Sequence, residues 1–227
     1  MKRLSSFFFA IFFCFTLNAQ VGVSLSYKNI DAPYWGLLLG ENETLFKNGH
    51  SFSVDYWLKL NNVRIDLLPE LGFSKFSNEI APIGSYSKRT FIAQFFNFQV
   101  NANIYPLDFF KQYTERTNQS SSENVARSLF VQISPGMSML YLSYRAAFEE
   151  MLLPPRRTSY FIGLGAGFDI HYRNYLTLTP MLRYQHYPSV QWLGLSEIQD
   201  EFTDDFFRED SFVNQVAFSL RLGMFLR

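Results

Sequence analysis

From Gln20 onward, apolar and polar positions alternate with a period of two. The clearest run puts Tyr160, Ile162, Leu164, Ala166, Phe168, Ile170 and Tyr172 on one face. Phe161, Gly163, Gly165, Gly167, Asp169 and His171 take the other. Next, Leu176, Leu178, Pro180, Leu182 and Tyr184 oppose Thr177, Thr179, Met181, Arg183 and Gln185. Near the end, Val216, Phe218, Leu220, Leu222 and Met224 oppose Gln215, Ala217, Ser219, Arg221 and Gly223. Neighbouring side chains of a strand point to opposite faces, so this pattern predicts strands rather than helices. Eight are expected, over 20–29, 50–60, 63–74, 88–104, 128–145, 158–173, 175–188 and 211–226. Several exceed ten residues, long for a soluble sheet but suited to a strand tilted across a bilayer.

The predicted connections alternate in length. Asn61-Asn62 and Arg173-Asn174 suit tight hairpins, because asparagine tolerates positive φ. Ile30 to Gly49, Lys75 to Ser87, Ala146 to Arg157 and Ser189 to Asp210 are longer. Long loops at one end and short turns at the other are the pattern of outer-membrane barrels. Tyr105 to Arg127 is the exception, a long segment at the short-turn end.

Eight alternating strands close in two ways. A soluble lipocalin-like barrel turns its apolar face inward, and a membrane barrel turns it outward around a polar lumen. The second face carries Asp55, Lys59, Arg64, Asp66, Glu70, Asp169, Arg183 and Arg221, with Asn97, Gln99, Asn101, Asn103 and Gln132. The first carries more bulk than an eight-stranded interior holds, which favours lipid outside. The expected fold is therefore an all-β, antiparallel, up-and-down transmembrane barrel with a polar, side-chain-plugged lumen. The 26 Phe and 13 Tyr then find a place in two interfacial girdles. Tyr27, Tyr34, Trp35, Phe52, Phe73, Tyr86, Tyr141, Tyr144, Tyr184, Tyr187 and Trp192 fall at the long-loop end. Tyr105, Phe109, Tyr172 and Tyr175 fall at the short-turn end. For Tyr34, Trp35 and Trp192, packing among the loops is an equal alternative.

The start of the chain reads as a leader. Lys2 and Arg3 precede the apolar run Leu4 to Leu17, and Ala19 offers a small residue for cleavage. The expected organisation is a removed signal peptide over 1–19 and one barrel over 20–227, exported through the inner membrane to the bacterial outer membrane. Cys14, the single cysteine, leaves with the leader, so the mature chain is expected to hold no disulfide or thiolate site. Lys+Arg and Asp+Glu are 20 each, which gives no basic excess for nucleic acid.

The stretch GLGAGFDIHYRNYLTLTPMLRYQHY (163–187), with NANIYPLDFF (101–110) and NAQ (18–20), resembles the small outer-membrane β-barrel proteins of Bacteroidota, the PorT-like group. The resemblance implies the fold and the outer membrane. It also implies a range of roles, from secretion-system components to barrels of unassigned role. Such barrels often end on an aromatic residue, whereas here Leu226 and Arg227 follow Phe225.

Chemistry is sought in the lumen, the histidines and the loops. Lys59, Arg64, Arg183 and Arg221 balance Asp55, Asp66, Glu70 and Asp169. Buried charges are costly unless paired, so an ion-pair network plugging the lumen is expected ahead of an ion or proton path. Asp169 and His171 could orient a base, and His186 sits near Ser189, with His50 a candidate neighbour. No spacing completes a nucleophile, base and orienter, so a lipid-modifying enzyme is the minor alternative and a narrow pore another. No cofactor, metal or nucleic-acid partner is expected. Glu197, Asp200, Glu201, Asp204, Asp205, Glu209 and Asp210 make one long loop acidic, suited to solvent or to cation bridging toward lipopolysaccharide. Outer-membrane lipid and lipopolysaccharide are expected partners. Envelope or secretion proteins would dock through 105–127, with Phe109, Phe110 and Tyr113 as apolar anchors. The expected role is a non-enzymatic structural or accessory subunit in envelope assembly or protein secretion.

Overall fold

The computed structural model describes residues 20–36, 45–60, 65–80, 89–106, 129–145, 150–151, 157–172, 175–192, 195 and 209–225. The strands are β1 (Gln20–Asp31), β2 (Asn48–Lys59), β3 (Ile65–Ile80), β4 (Arg89–Ile104), β5 (Leu129–Arg145), β6 (Glu150–Met151), β7 (Arg157–Phe168), β8 (Ile170–Tyr172), β9 (Leu176–Gln191) and β10 (Asp210–Phe225). A short helix, α1 (Pro33–Gly36), follows β1. Every ladder is antiparallel, and β10 pairs with both β9 and β1. The sheet therefore closes into an eight-staved barrel, β7 and β8 forming one stave. Below, "lower" denotes the short-turn end and "upper" the long-loop end.

The outward face is apolar on every stave: Leu25, Val54, Leu71, Phe98, Ile133, Leu164, Leu182 and Leu220 are all exposed. Water would leave that band unsatisfied, and lipid covers it, so the barrel spans a membrane. On β3 the outward residues are apolar from Ile65 to Phe73 and turn to Lys75. The ten steps from Ile65 to Lys75, at about 3.3 Å each and tilted by about 40°, span about 25 Å, the height of a lipid-facing band.

Above that boundary the same positions still face inward, but the polarity of the two faces reverses. Lys75, Ser77 and Glu79 point outward while Phe76 is fully buried. On β4 the inward residues change from Asn103, Asn101, Gln99 and Asn97 to Phe95, Ala93 and Phe91. Here water lies outside, and the interior is built like a soluble core. This explains why β3 runs on to Ile80 in register with Arg89 to Gln94, where a loop was expected from Lys75. Similarly, β9 reaches Gln191 instead of ending near 188, with a register shift between Ser211 and Val213. The expected strand 158–173 breaks at Asp169 into β7 and β8. The expected loops before Gly49 and Arg157 contain α1 and β6.

Several expected girdle residues lie inside. Trp35, carried on α1, packs edge-on to Trp192 at 5.4 Å, with Phe46 stacked on Trp192 at 6.0 Å. Tyr187 contacts Phe161 at 4.9 Å and Phe95 at 5.7 Å. Trp35, Tyr187 and Trp192 are at most 1% exposed, and Tyr105 is buried at the lower end. An inward aromatic looks the same as an interfacial one until the phase of its strand is tracked. Gly49 admits this core: a Cβ there would stand 2.4 Å from the Phe76 ring.

Candidate functional site

The lower lumen is filled by polar side chains from every stave. Arg221 on β10 reaches over β1 to Asp55 on β2, with Nε donating to Oδ2 at 2.8 Å and Nη2 to Oδ1 at 2.7 Å. Such a two-pronged pair has both charge and geometry in its favour. The guanidinium also lies 5.3 Å from the centre of the Trp57 ring. The bridge needs Gly22 beneath it, because a Cβ there would meet Arg221 and Asp55 atoms at 2.5 Å.

The second ion pair crosses the lumen. Arg183 Nη1 on β9 donates to Glu70 Oε1 on β3 at 2.9 Å, and Asn101 Nδ2 donates to Glu70 Oε2 at 2.6 Å. Gln99 Nε2 donates to Asn101 Oδ1 at 3.0 Å, and Gln185 Nε2 donates to Gln99 Oε1 at 2.9 Å. Lys28 Nζ closes the chain, donating to Gln185 Oε1 at 3.0 Å and Gln215 Oε1 at 3.2 Å. One connected set thus joins β1, β3, β4, β9 and β10. A polar cavity of about 10 Å³, the space of roughly one water, lies among Lys28, Glu70, Arg183 and the surrounding serines.

Asp169 sits apart from both pairs. It accepts from Tyr105 Oη at 2.9 Å and from the Thr179 hydroxyl. Two hydroxyl donors, from Tyr105 after β4 and Thr179 on β9, hold it where an ion pair was expected. Asp66 is buried and partnered. Of the remaining lumen candidates, the side chain of Lys59 and all of Arg64 lie outside the described residues, as do Phe109, Phe110, Tyr113 and the acidic loop up to Arg208. Lys28 and the glutamine relay were missed by the sequence reading. The signal lay in β1, where Gln20, Gly22, Ser24, Ser26 and Lys28 share one face.

The histidines do not converge. His50 is exposed on the outer wall, its ring 5.7 Å from that of Tyr27. His171 is exposed at the lower rim, while the hydroxyls of Tyr105 and Thr179 hold Asp169. Nδ1 of His186 lies 2.8 Å from Asn214 Oδ1, which also accepts from Tyr184 Oη at 2.8 Å. Ser159, at the upper end, donates to the Ser189 carbonyl at 2.7 Å. Among the described residues no group of three or more His, Cys, Asp or Glu is placed to hold a metal.

No protein family and no curated protein matches the sequence. Among solved structures, the chain is similar to Neisserial surface protein A at 10% identity and a TM-score of 0.47, over 91% of this chain and 96% of that one. It is similar at the same identity and TM-score to Ail, the attachment invasion locus protein of Yersinia pestis, over 92% of this chain and 98% of that one. The outer membrane protease OmpT of Escherichia coli follows at 9% identity and a TM-score of 0.40, over 93% and 97%. Likenesses this distant assign no role, and the architecture rests on the closed ladder itself.

Proposed function

We propose that the protein is a non-conducting barrel of the bacterial outer membrane that serves as a structural or accessory subunit in envelope assembly or protein secretion. The observation that carries this reading is the filled interior. Two ion pairs and a glutamine relay occupy the lower lumen, and a core of Phe, Tyr and Trp occupies the upper one. A solute path would have to dismantle both. The useful surfaces of such a barrel are its ends and its outer wall. Segment 105–127, with Phe109, Phe110 and Tyr113, is the proposed contact for an envelope partner.

Two experiments test it. The tagged protein is purified from its native outer membrane in mild detergent and co-purifying proteins are identified. A stoichiometric partner lost on deleting 112–124, with barrel insertion intact, supports the reading; purification without a partner refutes the subunit role. In planar bilayers the folded protein should give no single-channel steps, and regular steps would refute the closed lumen.

A further inference from the structure

The outer wall of β2 to β5 is not uniform. Phe52 pairs with Phe73, Phe73 with Phe96 and Phe96 with Met139. One step lower on each strand, Leu71, Phe98 and Met137 continue the surface. The Phe73 and Phe96 rings draw together to 4.8 Å, leaving an apolar groove of about 380 Å³ open to the membrane. One step higher, the next outward residues are His50, Lys75, Gln94 and Tyr141, themselves paired in that order. Lys75 and His50 are exposed. Thus a wide apolar groove ends, toward the long loops, on a lysine beside a histidine.

We propose that this wall binds lipid A, the phosphorylated, multiply acylated anchor of lipopolysaccharide, with a phosphate at Lys75 and His50 and acyl chains in the groove. Three arguments choose this occupant. Charge is the first. An exposed ammonium with a neighbouring imidazole, glutamine and phenol forms a donor-rich edge for a phosphate, while the outward carboxylate of the same strand, Glu79, lies four residues further up. Position is the second: Lys75 stands at the upper limit of the apolar band, where a headgroup begins, and long loops of such barrels face the cell exterior. Width is the third. Three strand intervals span about 14 Å, which admits several chains side by side, and methionines adapt to chains of differing shape. The proposal rests on the outer-membrane reading above. The conductance assay reads the lumen and is blind to this wall, so the two fail separately.

The test uses the full folded barrel in neutral detergent, with diphosphorylated lipid A as probe and phosphatidylethanolamine as comparison, bound lipid being counted by native mass spectrometry. Wild type should retain lipid A in preference to phosphatidylethanolamine. Lys75→Glu should weaken lipid A binding at least tenfold, and Met139→Trp, which fills the groove, by a similar factor. Leu220→Trp on the far wall should leave binding unchanged. Folding is checked by heat-sensitive gel migration, and Lys75→Gln replaces Lys75→Glu if the latter does not fold. Equal retention of the two lipids, or lipid A binding unaffected by the Lys75 variant that folds, would overturn the proposal. So would a concentration-dependent dimer abolished by Met139→Trp, which would give the wall to a second copy of the chain.

Discussion

Asp55→Asn should be among the most destabilising conservative changes in the barrel. The substitution keeps the shape of the side chain and removes its charge. Arg221 then faces a neutral amide across contacts of 2.7 and 2.8 Å, with both side chains at most 3% exposed. No water replaces the lost counter-charge. Breaking a buried pair from one side costs about 3–5 kcal/mol, because the remaining ion stays desolvated. The Trp57 ring lies against the guanidinium before and after the change, so its contribution of about 0.5–2 kcal/mol cancels from the difference. A loss of about 3 kcal/mol, the lower end of the range for a broken pair, is expected. With a urea slope of about 2 kcal/mol/M, the midpoint should fall by roughly 1.5 M. The assay is equilibrium unfolding in lipid vesicles, followed by tryptophan fluorescence and gel migration. The double change Asp55→Leu/Arg221→Met removes both charges and should recover most of the loss, since matched apolar replacement of an ion pair is often neutral. A single-variant loss below about 1 kcal/mol would refute the argument, for it would mean that water reaches the pair.

The other predictions follow from the same geometry. Gly22→Ala should cost about 1–3 kcal/mol by pushing the Arg221–Asp55 bridge off its seat, read in the same unfolding assay. Phe95→Ala, in the upper core between Phe76 and Tyr187, should cost about 3–5 kcal/mol while leaving membrane insertion intact. Tyr105→Phe removes one of the two hydroxyl donors to Asp169 and should cost about 1–3 kcal/mol, whereas Tyr175→Phe on the exposed rim should change stability by less than about 0.5 kcal/mol.

The strand pattern was legible because lipid and lumen impose opposite demands on adjacent residues. Each of the eight staves coincides with a predicted run, and the outward sets of β7, β9 and β10 are those that periodicity selects. Strand ends were less legible. A rule that seeks apolar residues outside stops at Lys75, although the hydrogen-bonded ladder continues to Ile80. The partners of the lumen charges were not legible either. Arg183 meets Glu70 and Arg221 meets Asp55 across separations of 113 and 166 residues, set by how the sheet staggers as it closes. Asp169 shows the limit most clearly: its charge suggested an arginine, and Tyr105 and Thr179, distant in sequence or on another strand, supply two hydroxyls instead.

The reversal of polarity along the strands also divides the labour within one continuous sheet. Below Lys75 the strands solve a membrane problem, with carbon outside and paired polar groups inside. Above it they solve a soluble-domain problem, with Phe76, Phe91, Phe95, Tyr187 and Trp192 inside and charge outside. The halves meet where Ser138 Oγ donates to Asn97 Oδ1 at 2.5 Å and lies 3.1 Å from Tyr187 Oη, so the last polar rung is hydrogen-bonded to the first aromatic one. A polar lumen alone would leave the upper mouth wet and its long loops without a base. An aromatic core there supplies one: α1 and the residue after β9 deliver Trp35 and Trp192 onto it, and both tryptophans are tied to the Glu209 carbonyl, at 3.3 and 2.9 Å. The loops therefore spring from a packed platform that projects beyond the bilayer, and the polar network below holds that platform's strands in register.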